Sequence, residues 1–230
     1  MTPLIGVVVF PGSNCDRDAM EGVRVLGGET TVLWHADASI KGADAVIVPG
    51  GFAHGDYLRP GAIARFSPVM SAVADFAAAG GPVVGICNGF QVLTEAGLLP
   101  GALQKNRGLK FLCHTVTLRV DSTDSVLTSG VENGALLRIP INHFEGNYTC
   151  GPETLAALRA EERVVLRYVD NPNGSMDDIA GICSEGRNVV GLMPHPERAC
   201  DPLLGSTDGM PLLQSFLAAA SGAGVSSRPG

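Results

Sequence analysis

The stretch Val83-Val84-Gly85-Ile86-Cys87-Asn88-Gly89-Phe90-Gln91 constrains the fold more than any other part of the chain. Its first four residues are apolar, rich in β-branching and too few for a helix, so they read as a buried strand. From Asn88 to about Ala96 the composition is that of a helix. The cysteine therefore occupies a sharp strand-to-helix corner, with glycines on both sides where a Cβ would clash. The G-x-S-x-G elbow lifts a serine nucleophile out of a sheet by the same geometry. A helix N-terminus also favours the thiolate, which is the reactive form of cysteine. A lone cysteine near a strand end is more commonly a small buried hydrophobe. Glycine is costly inside regular elements, however, and two of them around one cysteine need a reason.

The rest of the first half alternates between strand and helix. Ile5 to Phe10 reads as a buried strand, followed by the loop Pro11-Gly12-Ser13-Asn14. A helix from about Asp16 to Leu26 stops at Gly27-Gly28. Thr30 to Trp34 and Ala43 to Val48 are the next strands. Ser67 to Ala79 is a helix ended by Gly80-Gly81-Pro82. Buried strands alternating with helices predict an α/β fold with a mainly parallel sheet flanked by helices, and function at the carboxyl ends of its strands. From Phe111 the pattern changes. Phe111 to Val120, Leu136 to Ile141, Val164 to Val169, Ile179 to Cys183 and Val189 to Met193 read as strands with little helix between them. They predict an antiparallel extension of the same sheet in the C-terminal half. No linker divides the halves, so residues 1–220 read as one domain. It closes with a helix from Pro211 to Ala220, and 221–230 is a small, polar, disordered tail.

Composition narrows the chemistry. The 230 residues are 45% hydrophobic and 17% charged, with a formal net charge of −7, so no nucleic-acid groove is expected. The densest basic patch, Lys105-Asn106-Arg107 with Lys110, reads as a solvated loop. Six cysteines, at 15, 87, 113, 150, 183 and 200, form no C-x-x-C pair, and no metal site is expected. Scattered thiols fit a reducing compartment. With no basic leader ahead of the first strand and no long apolar run, the chain is expected to be cytoplasmic, with no membrane contact.

A thiolate that attacks a carbonyl needs a general base, and the base needs an orienting group. Two of the five histidines lie in His-x-acid pairs: His143-Phe144-Glu145 and His195-Pro196-Glu197. The second pair follows the strand Val189 to Met193, so it sits at a strand end like Cys87. His195 precedes a proline and is pushed towards extended backbone, where residues i and i+2 face one side and Glu197 can meet it. The first pair can equally be a surface loop, or two residues that satisfy each other. His35, His54 and His114 read as structural or peripheral. An oxyanion would need donors: the N–H of Asn88 follows from the elbow, and the N–H of Gly51 is a second candidate, in the turn Pro49-Gly50-Gly51. The same elbow could serve another cysteine hydrolase, such as a thioesterase, or a non-enzymatic binding module.

Gly85-x-Cys87-x-Gly89-x-Gln91 together with the late His195-Pro196-Glu197 resembles the class I (triad) glutamine amidotransferases. Further segments narrow the resemblance to that family's separate glutaminase subunits of purine biosynthesis. They are Phe10-Pro-Gly-Ser-Asn-Cys-Asp16, Pro49-Gly-Gly-Phe52, Gly55-Asp-Tyr-Leu-Arg59, Gly61-Ala-Ile-Ala64 and Met193-Pro-His-Pro-Glu-Arg198. The resemblance implies a flavodoxin-like sheet and a triad of Cys87, His195 and Glu197. It further implies an oxyanion hole of Gly51 and Asn88, and Gln91 in contact with L-glutamine. Ala53-His54 departs from the Ser-Tyr expected there, so His54 receives no role. The chain has no P-loop. The ammonia would therefore pass to a separate synthetase subunit that binds ATP, magnesium and formylglycinamide ribonucleotide, with a small third subunit bridging the two. No cofactor is expected in this chain itself.

Overall fold

The computed structural model describes residues 2–222, so all but the first two residues of the proposed tail 221–230 lie outside the described residues. The first half contains β1 (Leu4–Val9), α1 (Asp16–Val25), β2 (Glu29–Trp34), β3 (Ala45–Val48), α2 (Pro68–Ala78), β4 (Val83–Ile86) and α3 (Asn88–Glu95). The second half contains β5 (Ala102–Gln104), β6 (Leu112–Val120), β7 (Leu136–His143), β8 (Asn147–Thr149) and α4 (Pro152–Ala160). It continues with β9 (Val164–Tyr168), β10 (Ile179–Cys183), β11 (Val189–Leu192) and α5 (Met210–Ala220).

Nine strands form one sheet in the order β2-β1-β3-β4-β11-β10-β9-β6-β7. From β2 to β11 all neighbours are parallel, and from β11 to β7 all are antiparallel. Burial explains the division. In β3, β4 and β11 every residue is buried, because helices cover both faces, and their sequences are near-continuous β-branched runs. β7 instead alternates exposed and buried residues over most of its length, the signature of a strand with one face in water. The core runs through the sheet, with Ile5, Ile47, Ile86, Leu118, Ile139 and Phe216 almost wholly excluded from solvent.

The structure differs from the sequence reading in a few places. β3 begins at Ala45, not Ala43, because the Ala43 N–H closes a turn onto the Ile40 carbonyl at 3.0 Å. The short pair β5 and β8 forms a separate two-stranded sheet. α4 is likewise an addition, and its signal lay in Gly151-Pro152, a chain turn followed by proline at the first helical position. Among the described residues no helix is long and apolar enough to cross a membrane.

The order of strands matters most for function. β11 and β4 are hydrogen-bonded neighbours running in the same direction, with Leu192 opposite Ile86. Residues that follow these two strands therefore emerge side by side at one edge, although more than a hundred positions separate them in sequence.

Candidate active site

Cys87 follows the last residue of β4 and has φ 51° and ψ −105°. For a residue with a side chain, this positive-φ conformation is sparsely populated and costs about 1–3 kcal/mol. Its neighbours hold it there. The Cys87 N–H donates to the Leu192 carbonyl at 2.8 Å, and the Cys87 carbonyl accepts from the Gln91 N–H at 3.2 Å. Gly89 makes the corner possible, since a Cβ there would lie 1.8 Å from the Val48 carbonyl oxygen. The first turn of α3 thus presses directly on the end of β3. The Cys87 side chain is nearly covered, with its Sγ 3.6 Å from the Asn142 carbonyl oxygen.

His195 emerges beyond β11, and its N–H donates to the Pro140 carbonyl at 2.9 Å, which ties it to β7. Its Nδ1 lies 2.7 Å from Glu197 Oε1, and both side chains are 1% exposed. Glu197 reaches back from a 3₁₀ turn over Pro196–Arg198, not from the extended segment that the sequence suggested. Proline has the φ of a first helical residue, so Pro196 starts a turn where it was expected to prolong a strand. The remaining ring nitrogen, Nε2, is buried with no hydrogen-bond partner among the described residues. Burial opposes protonation of this imidazole. The negative charges of Glu197 and Cys87 outweigh it and hold the His195 pKa well above its ordinary value.

Cys87 and His195 line one small cavity of about 40 Å³, together with Gly51, Gln91, Asp56 and Glu145. A larger groove of about 800 Å³ lies at the opposite, amino ends of β4 and β11, against Gly80, Asn188 and Val189. Among the described residues no cysteine or histidine lines that groove, whereas the small cavity brings both together. Gly51 has φ 145°, a conformation that favours glycine, and lies against the backbone of Ser13 and Asn14. Asn88 does not itself line the cavity. Its peptide N–H is the first of α3, and its side chain turns to the neighbouring loop. There Oδ1 accepts from the Ala53 N–H at 3.0 Å, and Nδ2 donates to Asp56 Oδ1 at 3.0 Å and to Gln91 Oε1 at 2.9 Å. Gln91 Nε2 donates in turn to the Glu145 carbonyl.

A nucleophile on an elbow, an oriented imidazole and backbone N–H groups at a helix start are the parts that acyl transfer from an amide requires. The family model for the CobB/CobQ-like glutamine amidotransferase domain matches residues 2–209.

The chain belongs to this glutamine amidotransferase family.

Among its relatives, the phosphoribosylformylglycinamidine synthase subunit PurQ of Rubrobacter xylanophilus is 64% identical, over 94% of this chain and 98% of that protein. The protein of the same name from Cereibacter sphaeroides is 58% identical, over 92% and 96%. A solved structure described as PurLQS from Thermotoga maritima superposes with a TM-score of 0.88 at 44% identity, covering 95% of this chain and 99% of that one. A second solved structure, from Thermoplasma acidophilum, shares the fold at 16% identity and a TM-score of 0.69.

Three features of this amidotransferase site escaped the sequence reading. Cys15, the residue before α1, is buried in the same cavity. Its sulfur accepts from Arg198 Nη2 at 3.1 Å, and Arg198 Nε donates to Asp18 at 3.0 Å. Ligand atoms of Cys15, His195 and Glu197 lie within 4.8 Å of one another. The guanidinium on the sulfur opposes a second cation there. His143 is 3% exposed and belongs to neither of the arrangements expected for it: it is not in a surface loop, and Glu145 is not its partner. Its Nδ1 meets Asn106 Oδ1 at 3.1 Å. Burial, with the nearby positive charges of His195 and His114, lowers the His143 pKa to about 4. Asn106, read as part of a solvated basic loop, is 1% exposed and also donates to the Lys110 and His143 carbonyls. Its buried role left no local trace, because its flanking residues are charged and exposed. His54 packs edge-on to His35, with ring centroids 5.1 Å apart, and its Nε2 meets Ser67 Oγ at 3.2 Å.

Proposed function

We propose that this chain is the glutaminase subunit of phosphoribosylformylglycinamidine synthase, hydrolysing L-glutamine to glutamate and ammonia for use by a partner subunit. One observation carries the reading above all. A buried imidazole is fixed by Glu197 through Nδ1, and its free Nε2 shares a cavity with a cysteine on a left-handed elbow.

In this mechanism the Cys87 sulfur attacks the side-chain amide carbon of glutamine. The carbonyl electrons move to oxygen, where the Gly51 and Asn88 N–H groups receive the charge. Collapse of the tetrahedral intermediate breaks the C–N bond, and the proton on His195 Nε2 goes to the departing nitrogen, releasing ammonia. A thioester remains on Cys87. His195, now neutral, takes a proton from water, which attacks the thioester carbon, and glutamate leaves as the sulfur recovers its electrons. Glu197 keeps the Nδ1 proton in place throughout, and Gln91 borders the bound glutamine. The net reaction consumes one water and needs no metal or cofactor in this chain.

The acceptor of the ammonia is a separate synthetase subunit that binds ATP and magnesium, and a small third subunit bridges the two. The description of the Thermotoga structure as PurLQS, and of the relatives as a synthase subunit, supports an assembly of separate subunits. Ammonia is mostly protonated at neutral pH and then is no nucleophile, so a sealed contact between the proteins makes chemical sense. Within this reading the isolated chain is a slow glutaminase until partner contact organises the site.

The test is Cys87→Ala in the assembled synthase. Glutamine-dependent synthesis should vanish while synthesis from added ammonia persists. Equal loss of both activities would argue against a glutaminase role for this chain. A glutamine-mimicking electrophile should modify Cys87 and no other cysteine, as read by mass spectrometry.

A further inference from the structure

The loop after Gly51 is strained next to the nucleophile. His54, Gly55, Asp56 and Leu58 all have positive φ, at 54°, 74°, 52° and 69°. Such backbone persists where its surroundings over-determine it, and it gathers at functional sites. Here the fixing group is the Asn88 side chain, one residue past Cys87, which holds the loop at Ala53 and Asp56. The same amide reaches Gln91, and Gln91 reaches the Glu145 backbone. A continuous line of hydrogen bonds thus anchors two acidic residues, from distant parts of the chain, to the first turn of the nucleophile helix.

Both acidic residues line the cavity of Cys87 and His195, and among the described residues no lysine or arginine lines it. The Nε2 atoms of His143 and His195 are also buried there without partners among the described residues, so the cavity is equipped to receive a polar molecule. We infer that Asp56 and Glu145 receive the α-ammonium group of L-glutamine and so make the site selective for an α-amino acid amide over a simple amide. This rests on the glutaminase reading and adds to it the group that tells glutamine from other primary amides. Burial raises the Asp56 pKa to about 6; the hydrogen bond from Asn88 opposes the shift and the charge of Glu145 adds to it. A cation between the two carboxylates would relieve that repulsion, whereas a neutral group would leave it in place. Gln91, whose amide is engaged at both ends, acts here as the spacer that sets the separation of the two acids.

The test compares L-glutamine with glutaramate, the same molecule without its α-amino group, by ammonia release from the assembled complex. The wild type should favour glutamine in kcat/KM. In Asp56→Asn and in Glu145→Gln that preference should fall about tenfold or more, since each removes one charge-assisted contact to the ammonium. Both changes are isosteric. In Asp56→Asn the remaining oxygen can still accept from Asn88, and Glu145 is tied to Gln91 through its backbone, so at least one variant keeps the loop. A glutamine-to-glutaramate ratio unchanged in both active variants would overturn the assignment and leave the glutaminase reading standing. A wild-type complex that releases no ammonia from glutamine would overturn both.

Discussion

Asn88→Ala is the sharpest probe of how this site is held together. The Asn88 side chain is nearly wholly buried and makes hydrogen bonds to Ala53, Asp56 and Gln91 at 2.9 to 3.0 Å. Truncation leaves the buried Ala53 N–H and the Gln91 Oε1 without these partners, at about 1–3 kcal/mol each. Asp56 is half-buried and can turn to water, so it adds little. The expected loss is roughly 3–4 kcal/mol. At about 2–4 °C per kcal/mol for a chain of this size, the melting temperature should fall by roughly 10 °C. The left-handed residues His54, Asp56 and Leu58 would then relax towards ordinary backbone, because each carries a strain of about 1–2 kcal/mol. Urea denaturation gives the stability. Amide exchange or limited proteolysis, read residue by residue, should show protection lost over 52–58 before any change in β1 or β3. A variant within about 1 kcal/mol of wild type, with 52–58 still protected, would show that the loop is held by something other than Asn88.

Other expectations follow from the same geometry. Gly89→Ala places a methyl 1.8 Å from the Val48 carbonyl oxygen; a backbone clash costs at least the roughly 1–3 kcal/mol typical of overpacking, and both the urea midpoint and kcat should drop. Glu197→Gln removes the charge that keeps His195 protonated and correctly oriented, and glutamine turnover should fall by about 10³–10⁴ while KM changes little. His195→Ala should abolish hydrolysis whereas His143→Ala only weakens it; the reverse ranking would transfer the base to His143. His143 also makes a pH prediction. Its pKa falls from 6.5 unfolded to about 4 folded, so the unfolded chain binds its proton first, and stability from this group is present above pH 6.5 and lost as the pH drops towards 4. The loss is at most about 3 kcal/mol. The stability gap between wild type and His143→Gln should therefore narrow on acidification, and a gap independent of pH would refute the burial argument.

Local chemistry alone determined a good deal of this protein. The β-branched runs of β1, β3, β4 and β11 could be recognised because strands buried on both faces read as unbroken apolar segments, and Gly85 and Gly89 marked the elbow because only glycine tolerates such close backbone approach. Proline at 196 and an acid at 197 marked the stretch that carries His195. What local chemistry left open was partnership. Two His-x-acid pairs looked alike, and the fold brings both histidines to the cavity of Cys87; the insertion of β11 beside β4 brings His195 there with Glu197 on its Nδ1, whereas the Nδ1 of His143 meets Asn106. The side-chain and backbone partners of Asn88, Cys15, Arg198 and Glu145 were equally hidden, since hydrogen bonds between residues far apart in the chain have no periodicity to betray them. Strand order is a global property, settled by which apolar faces can be covered together, and it alone brought the parts of the site within reach of one another.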